Sequence, residues 1–167
     1  MTTTTLPDSR AATAQRVIAA MAGPDARLRD DQVSAVAALC EPAARVLVVQ
    51  ATGWGKSAVY WAATAIRRSE GAGPTLVVSP LLSLMRDQVA AAARAGLSAA
   101  TLNSSNFDDW SAIEQGLLAG EIDVLLVSPE RLANPGFGRR VLDDQPEASG
   151  QAVEHPSPEP GVGQPLR

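Results

Sequence analysis

Ala51-Thr52-Gly53-Trp54-Gly55-Lys56-Ser57 holds the only lysine of a chain that otherwise writes its cationic charge as thirteen arginines. The choice has a physical reading. An ε-ammonium is a compact point charge with three donors that fits between phosphate oxygens inside a tight loop, where a planar guanidinium does not. Lys56 stands behind Gly53 and Gly55 and before a hydroxyl. This points to a grip on the terminal phosphates of a nucleotide, with Lys56 on the β and γ phosphates and Ser57 on Mg²⁺. The glycines allow positive φ, which turns loop N–H groups inward, and the loop then meets the positive N-terminal end of the helix that follows. The strict form of such a loop, Gly-x-x-x-x-Gly-Lys-[Ser/Thr], asks for glycine at position 50, where this chain has Gln50. The alternative reading is a glycine-rich strand-to-helix turn with a surface lysine.

A phosphate loop needs a strand to launch it and a helix to receive it. Arg45-Val46-Leu47-Val48-Val49-Gln50 is a short β-branched apolar run and reads as a buried parallel strand. Residues 57–68 are Ala-rich, end in Arg67-Arg68 and read as a helix. Upstream, helices are expected over 11–21, stopped by Gly23-Pro24, and over 28–39, stopped by Glu41-Pro42. Downstream the pattern alternates: strand 75–79, helix 81–94, strand 98–102, helix 108–119 capped by Asp108 or Asp109, strand 123–127. Strands alternating with helices of this length predict an α/β fold, a parallel sheet with helices on both faces and right-handed crossovers. Residues 1–27 read as a helical extension and 28–144 as the α/β domain. Residues 145–167 hold five prolines and three glycines and read as a disordered tail, too poor in apolar surface to offset its ordering entropy.

Composition narrows the function classes. At 167 residues and 46% apolar content, one ordinary domain with a core is expected. The net charge of −4 gives no overall basic surface. Cys40 is the single cysteine and His155 the single histidine, which excludes a disulfide framework, His/Cys metal clusters and His-dependent triads. No apolar run approaches the ~20 residues of a membrane span, and residues 1–7 lack the cationic flank and apolar stretch of a secretory signal. A cytoplasmic protein is expected.

Several further strings resemble one family. Leu28-Arg29-Asp30-Asp31-Gln32 resembles the N-terminal glutamine motif of RecQ-type, DEAD/DEAH-box ATP-dependent DNA helicases, and the loop at 51–57 stands where that family carries its own Thr-Gly-x-Gly-Lys-Ser. Ser79-Pro80-Leu81-Leu82-Ser83-Leu84-Met85-Arg86-Asp87-Gln88-Val89 matches the family's motif Ia. Leu102-Asn103-Ser104-Ser105 and Val127-Ser128-Pro129-Glu130-Arg131-Leu132 match later segments in the same order. The resemblance implies a RecA-like P-loop domain that uses ATP and Mg²⁺. Cofactor contacts would come from Arg29, Gln32, Thr52, Gly53, Trp54, Gly55, Lys56 and Ser57. Gln32 has a donor and an acceptor suited to the N6 and N7 edge of adenine. Ser79, Pro80 and Leu81 at a strand end, with Arg86, Gln88 and Ser104 near them, would hold the backbone of single-stranded DNA. Without the resemblance, Gln32 reads as an exposed polar residue on a helix, Arg86 and Gln88 as a solvated helix face, and Glu130 and Arg131 as partners of each other or of neighbours.

One family element is missing. Hydrolysis requires a strand ending in Asp-Glu-x-His, the Asp for Mg²⁺ and the Glu for the attacking water. No such string occurs here: Ser128-Pro129 follows the run 124–127, and Val141-Leu142-Asp143-Asp144 has acids without a strand to bear them. A second RecA-like domain of ~150 residues is missing too. The expectation is therefore the N-terminal part of a RecQ-like helicase, truncated or frame-shifted before its DEAH motif, with weak ATP–Mg²⁺ binding, weak binding of single-stranded DNA and negligible hydrolysis or unwinding. A small P-loop kinase and a non-catalytic nucleotide-binding module are the alternatives. Against the kinase, two helices precede the loop and no Arg-rich lid follows it.

Overall fold

Thr75-Leu76-Val77-Val78 and Val124-Leu125-Leu126-Val127 are apolar at all but one position, the composition of strands covered on both faces. The computed structural model describes residues 5–103, 109–133, 137 and 151–153. The two runs form β1 (Thr75–Val78) and β3 (Val124–Val127), paired in parallel with Thr75 opposite Val124 and Val78 opposite Val127. β2 (Ala99–Leu102) adds in parallel to the other side of β3. β4 (Gln151–Val153), within the Pro/Gly-rich stretch, adds in parallel to β1, so the strand order is β2-β3-β1-β4.

Period-two alternation divides the sheet between two cores. Val77, Val124 and Leu126 face one way and pack with Val17 of α1 (Asp8–Ala22), Tyr60 and Trp61 of α3 (Lys56–Ser69), and Met85 and Ala92 of α4 (Leu82–Arg94). Leu76, Val78, Leu125 and Val127 face the other way, onto Leu117 of α5 (Trp110–Leu118), Ile122 and Phe137. Helices thus cover both faces of a parallel sheet, the expected α/β architecture. α2 (Asp30–Leu39) lies on α3 through Val36, Ala37 and Cys40 against Val59, Ala63 and Ile66, with Ala14 of α1 in the same cluster. A short α6 (Pro129–Leu132) follows β3 directly, capped by the Ser128 hydroxyl, which accepts from Arg131 N.

Two expectations are corrected. Residues 45–50 do not form a strand. Val46 and Val48 are half-buried, but Leu47 and Val49 are 84% and 79% exposed. A strand is a property of a pair, because its N–H and C=O groups need a facing ladder. β1 is already flanked by β3 and β4, and β4 has three residues. The second correction is the cap of α5. Asp109 occupies the N-cap with helical backbone angles (φ −85°, ψ −9°) and makes no side-chain cap bond. An N-cap carboxylate reaches N2 or N3 only from an extended backbone. Asp108, like Ser104, Ser105 and most of 145–167, lies outside the described residues. No helix among the described residues is long and apolar enough to cross a membrane.

Cys40 is fully buried at the end of α2, and its burial pushes the thiol pKa up. Only the thiolate attacks a disulfide reagent. Folded protein is therefore expected to react with Ellman's reagent at least tenfold more slowly than protein in denaturant. Equal rates would contradict this burial.

Candidate nucleotide-binding loop

The loop between residue 50 and α3 is built around two left-handed glycines, Gly53 (φ +82°) and Gly55 (φ +92°). Gly55 is the N-cap of α3, so Lys56 and Ser57 open the helix where its unpaired N–H groups and positive dipole end lie. Trp54 N donates to Ala51 O at 3.2 Å and closes the loop's turn. The Lys56 ammonium folds back over it and donates to Gln50 O at 2.9 Å and Ala51 O at 3.2 Å. Both acceptors are neutral carbonyls, so an anionic phosphate oxygen is a stronger partner that can replace them. Gln50, at the position where the strict pattern has glycine, takes part through its main-chain oxygen alone.

The start of α2 is clamped onto this loop. Gln32 is 6% exposed; its Oε1 accepts from Arg29 N at 3.0 Å, and its Nε2 donates to Trp54 O at 3.0 Å. Arg29 also donates to Trp54 O, and its guanidinium sits 5.1 Å from the centroid of the Trp54 ring. Asp31 accepts from the Trp54 indole at 3.0 Å. The three residues 29, 31 and 32 thus fix the loop from one side. Gln32 is a buried part of that clamp, not an exposed polar residue. Asp31 went unnoticed in the sequence, although it lies within the matched string.

Ser57 meets a second buried amide. Gln88 of α4 is 6% exposed; it donates from Nε2 to Ser57 Oγ at 3.5 Å, and its Oε1 accepts from the Tyr60 hydroxyl. Gln88 was expected beside a DNA surface. The structure turns it inward, onto the loop, because positions 85 and 88 share the helix face that packs on the sheet. Arg86, on the opposite face, is exposed, as are Pro80 and Leu81. Ser79 is buried at the carboxyl end of β1: its N–H donates to Val127 O at 3.0 Å and its hydroxyl accepts from Leu81 N at 3.4 Å. Thr52 is exposed on the loop. Arg131 lies over the Trp110 ring, 3.2 Å from its centroid. The carboxyl ends of β1 and β3 and the head of α3 thus lie together, the place where open α/β sheets bind ligands.

Among the described residues no three His, Cys, Asp or Glu side chains are grouped to hold a metal ion. Ser57 supplies a single neutral oxygen. That donor set suits Mg²⁺ arriving on a nucleotide, since Mg²⁺ keeps its waters and phosphate oxygens and takes few ligands from the protein.

Comparison with known proteins agrees with this arrangement. Residues 29–145 match the family model for DEAD/DEAH box helicases. The chain is 40% identical over 92 residues to ATP-dependent DNA helicase RecQ of Pasteurella multocida, covering 54% of this chain and 14% of that protein. It is 35% identical over 115 residues to RecQ of Bacillus subtilis, covering 68% and 19%. It is also 40% identical over 93 residues to ATP-dependent DNA helicase Q-like 2 of Arabidopsis thaliana, covering 53% and 12%. The chain therefore spans less than a fifth of the length of these relatives. The motif strings, the sheet that carries them and the family match converge: the chain belongs to the DEAD/DEAH box helicases and is of the RecQ type.

Proposed function

We propose that this chain binds ATP with Mg²⁺ at the head of α3 and contacts single-stranded DNA weakly at the carboxyl end of β1, without sustaining hydrolysis or unwinding by itself. The observation that carries the reading is the Lys56 ammonium resting on two loop carbonyls at a helix N-terminus. It is a cation held where phosphate would bind, on partners that phosphate outcompetes. Thr52, Gly53, Trp54 and Gly55 supply the loop backbone, and Ser57 supplies the oxygen for Mg²⁺. Arg29 and Gln32 border the base side; the Gln32 Nε2 is shared between Trp54 O at 3.0 Å and Gly55 O at 3.5 Å, and exchanging the weaker of these contacts would give the amide an edge for adenine. Pro80, Leu81 and Arg86 form the exposed surface offered to DNA, and Ser79 shapes the turn beneath them. Ser104 belongs to the same proposal on sequence grounds alone.

The absence of turnover follows from chemistry. A grip on the phosphates lowers no barrier unless a carboxylate positions the attacking water, and the 167 residues contain no Asp-Glu-x-His string. A cytoplasmic location accompanies this reading. Steady-state phosphate release, with and without single-stranded DNA, is expected to equal that of Lys56→Ala. Release well above that control, or transfer of phosphate to a small acceptor, would refute the second half of the proposal.

A further inference from the structure

The buried Gln88 amide lies within the motif Ia string, yet it faces Ser57 and Tyr60 and not the surface expected for that motif. Its placement is costly unless both ends are satisfied, since a buried amide without partners loses ~1–3 kcal/mol. The structure satisfies both. Tyr60 OH donates to Gln88 Oε1, which assigns the oxygen to the Tyr60 side and turns the NH₂ toward Ser57 Oγ at 3.5 Å. Tyr60 is one helical turn beyond Ser57, so hydroxyl, phenol and amide line one side of α3 against α4.

Building on the nucleotide reading above, we propose that Gln88 is a positioning residue for the Ser57 hydroxyl, holding its second lone pair toward the Mg²⁺ of the bound nucleotide. A serine hydroxyl has one proton and two lone pairs. With the Gln88 NH₂ on one lone pair, the other is left for the cation and the proton is free for a phosphate oxygen. At 3.5 Å the amide sits at the outer limit of hydrogen bonding, close enough to orient the hydroxyl and loose enough to leave it a metal ligand. Outer groups that orient a metal ligand in this way typically carry 10–100-fold in metal affinity. Because Gln88 belongs to α4, the same contact ties the loop to the helix that follows Ser79-Pro80.

The test uses the full chain and N-methylanthraniloyl-ATP, with affinity measured in EDTA and in Mg²⁺; the readout is the ratio of the two dissociation constants. Ser57→Ala is expected to remove most of the Mg²⁺ effect. Gln88→Met, of similar size and without the amide, is expected to reduce the ratio roughly tenfold while leaving the affinity in EDTA unchanged. A general loss of packing would lower both affinities together. Tyr60→Phe, which frees the amide to turn, is expected to reduce the ratio in the same direction, and it decides the matter if Gln88→Met does not fold. A folded variant that keeps the wild-type ratio overturns this proposal alone. Wild-type protein with no nucleotide affinity overturns it together with the reading on which it rests.

Discussion

Gly55→Ala is expected to abolish measurable nucleotide binding and to destabilise the fold by about 2–5 kcal/mol. Two independent effects add at this position. Gly55 has φ +92°, a conformation that costs an L-residue roughly 1–2 kcal/mol. A Cβ there would also stand 2.8 Å from Gln32 Nε2. That amide cannot swing away cheaply, because it is buried and already bonded to Trp54 O and to the first turn of α2. Displacing it strands a buried polar group, at ~1–3 kcal/mol, and releases the Trp54 and Gly55 carbonyls that immediately precede Lys56. Gly53 provides the control. Its φ is +82°, but a Cβ there meets nothing within 4 Å, so Gly53→Ala carries only the backbone strain of roughly 1–2 kcal/mol. Urea unfolding of the two variants checks the difference, and equal losses would show that the Gln32 contact does not constrain the loop.

The second large effect lies at the opposite end of the sheet. Arg68, at the last turn of α3, donates from Nε to Asp123 Oδ1 at 2.7 Å and from its terminal nitrogens to Ala72 O at 2.9 Å and Gly120 O at 2.7 Å. Asp123 in turn accepts from Ser98 N at 2.9 Å. One guanidinium thus joins the end of α3 to the approaches to β1 and β3, and its carboxylate partner holds the approach to β2. The planar fork makes these bonds together, where a lysine could not. Both side chains are about four-fifths buried. Arg68→Ala therefore leaves a carboxylate and two carbonyls partly desolvated without their donor. The expected cost is about 2–3 kcal/mol, read as a melting midpoint lower by roughly 5–10 °C. Nucleotide affinity of the folded protein should be unchanged, since the site is at the other end of α3. A loss under ~0.5 kcal/mol would place this cluster among ordinary surface pairs.

Much of this architecture was legible because it rests on local pattern. β1, β3, α3 and α4 begin and end within one residue of their expected limits, since four-residue apolar runs and Ala-rich segments bounded by glycine leave little choice. The run 45–50 has the same composition as β1 and yet forms no strand. Composition reports that a segment would suit a ladder, not that a facing ladder exists. The amides of Gln32 and Gln88 show the same limit for the site. A glutamine is as able to meet a base or a DNA backbone as to bond the protein, and residue type alone does not reveal which way it turns. Spacing held a usable signal for Gln88, because it is three residues from the buried Met85 and so shares its inward face. The clamp by Arg29 and Asp31 on Trp54 could not be foreseen from order, as it depends on α2 packing beside a loop more than twenty residues away.

The central claim, that Lys56 at the head of α3 is a nucleotide grip, is tested most directly by titrating the full chain with N-methylanthraniloyl-ATP in Mg²⁺ and reading energy transfer from its tryptophans, of which Trp54 lies in the loop itself. The predicted result is saturable binding in the wild type, weakened by at least about tenfold in Lys56→Ala with no change in melting behaviour, as expected for loss of a charge-assisted contact to phosphate. Identical isotherms for the two proteins would contradict it.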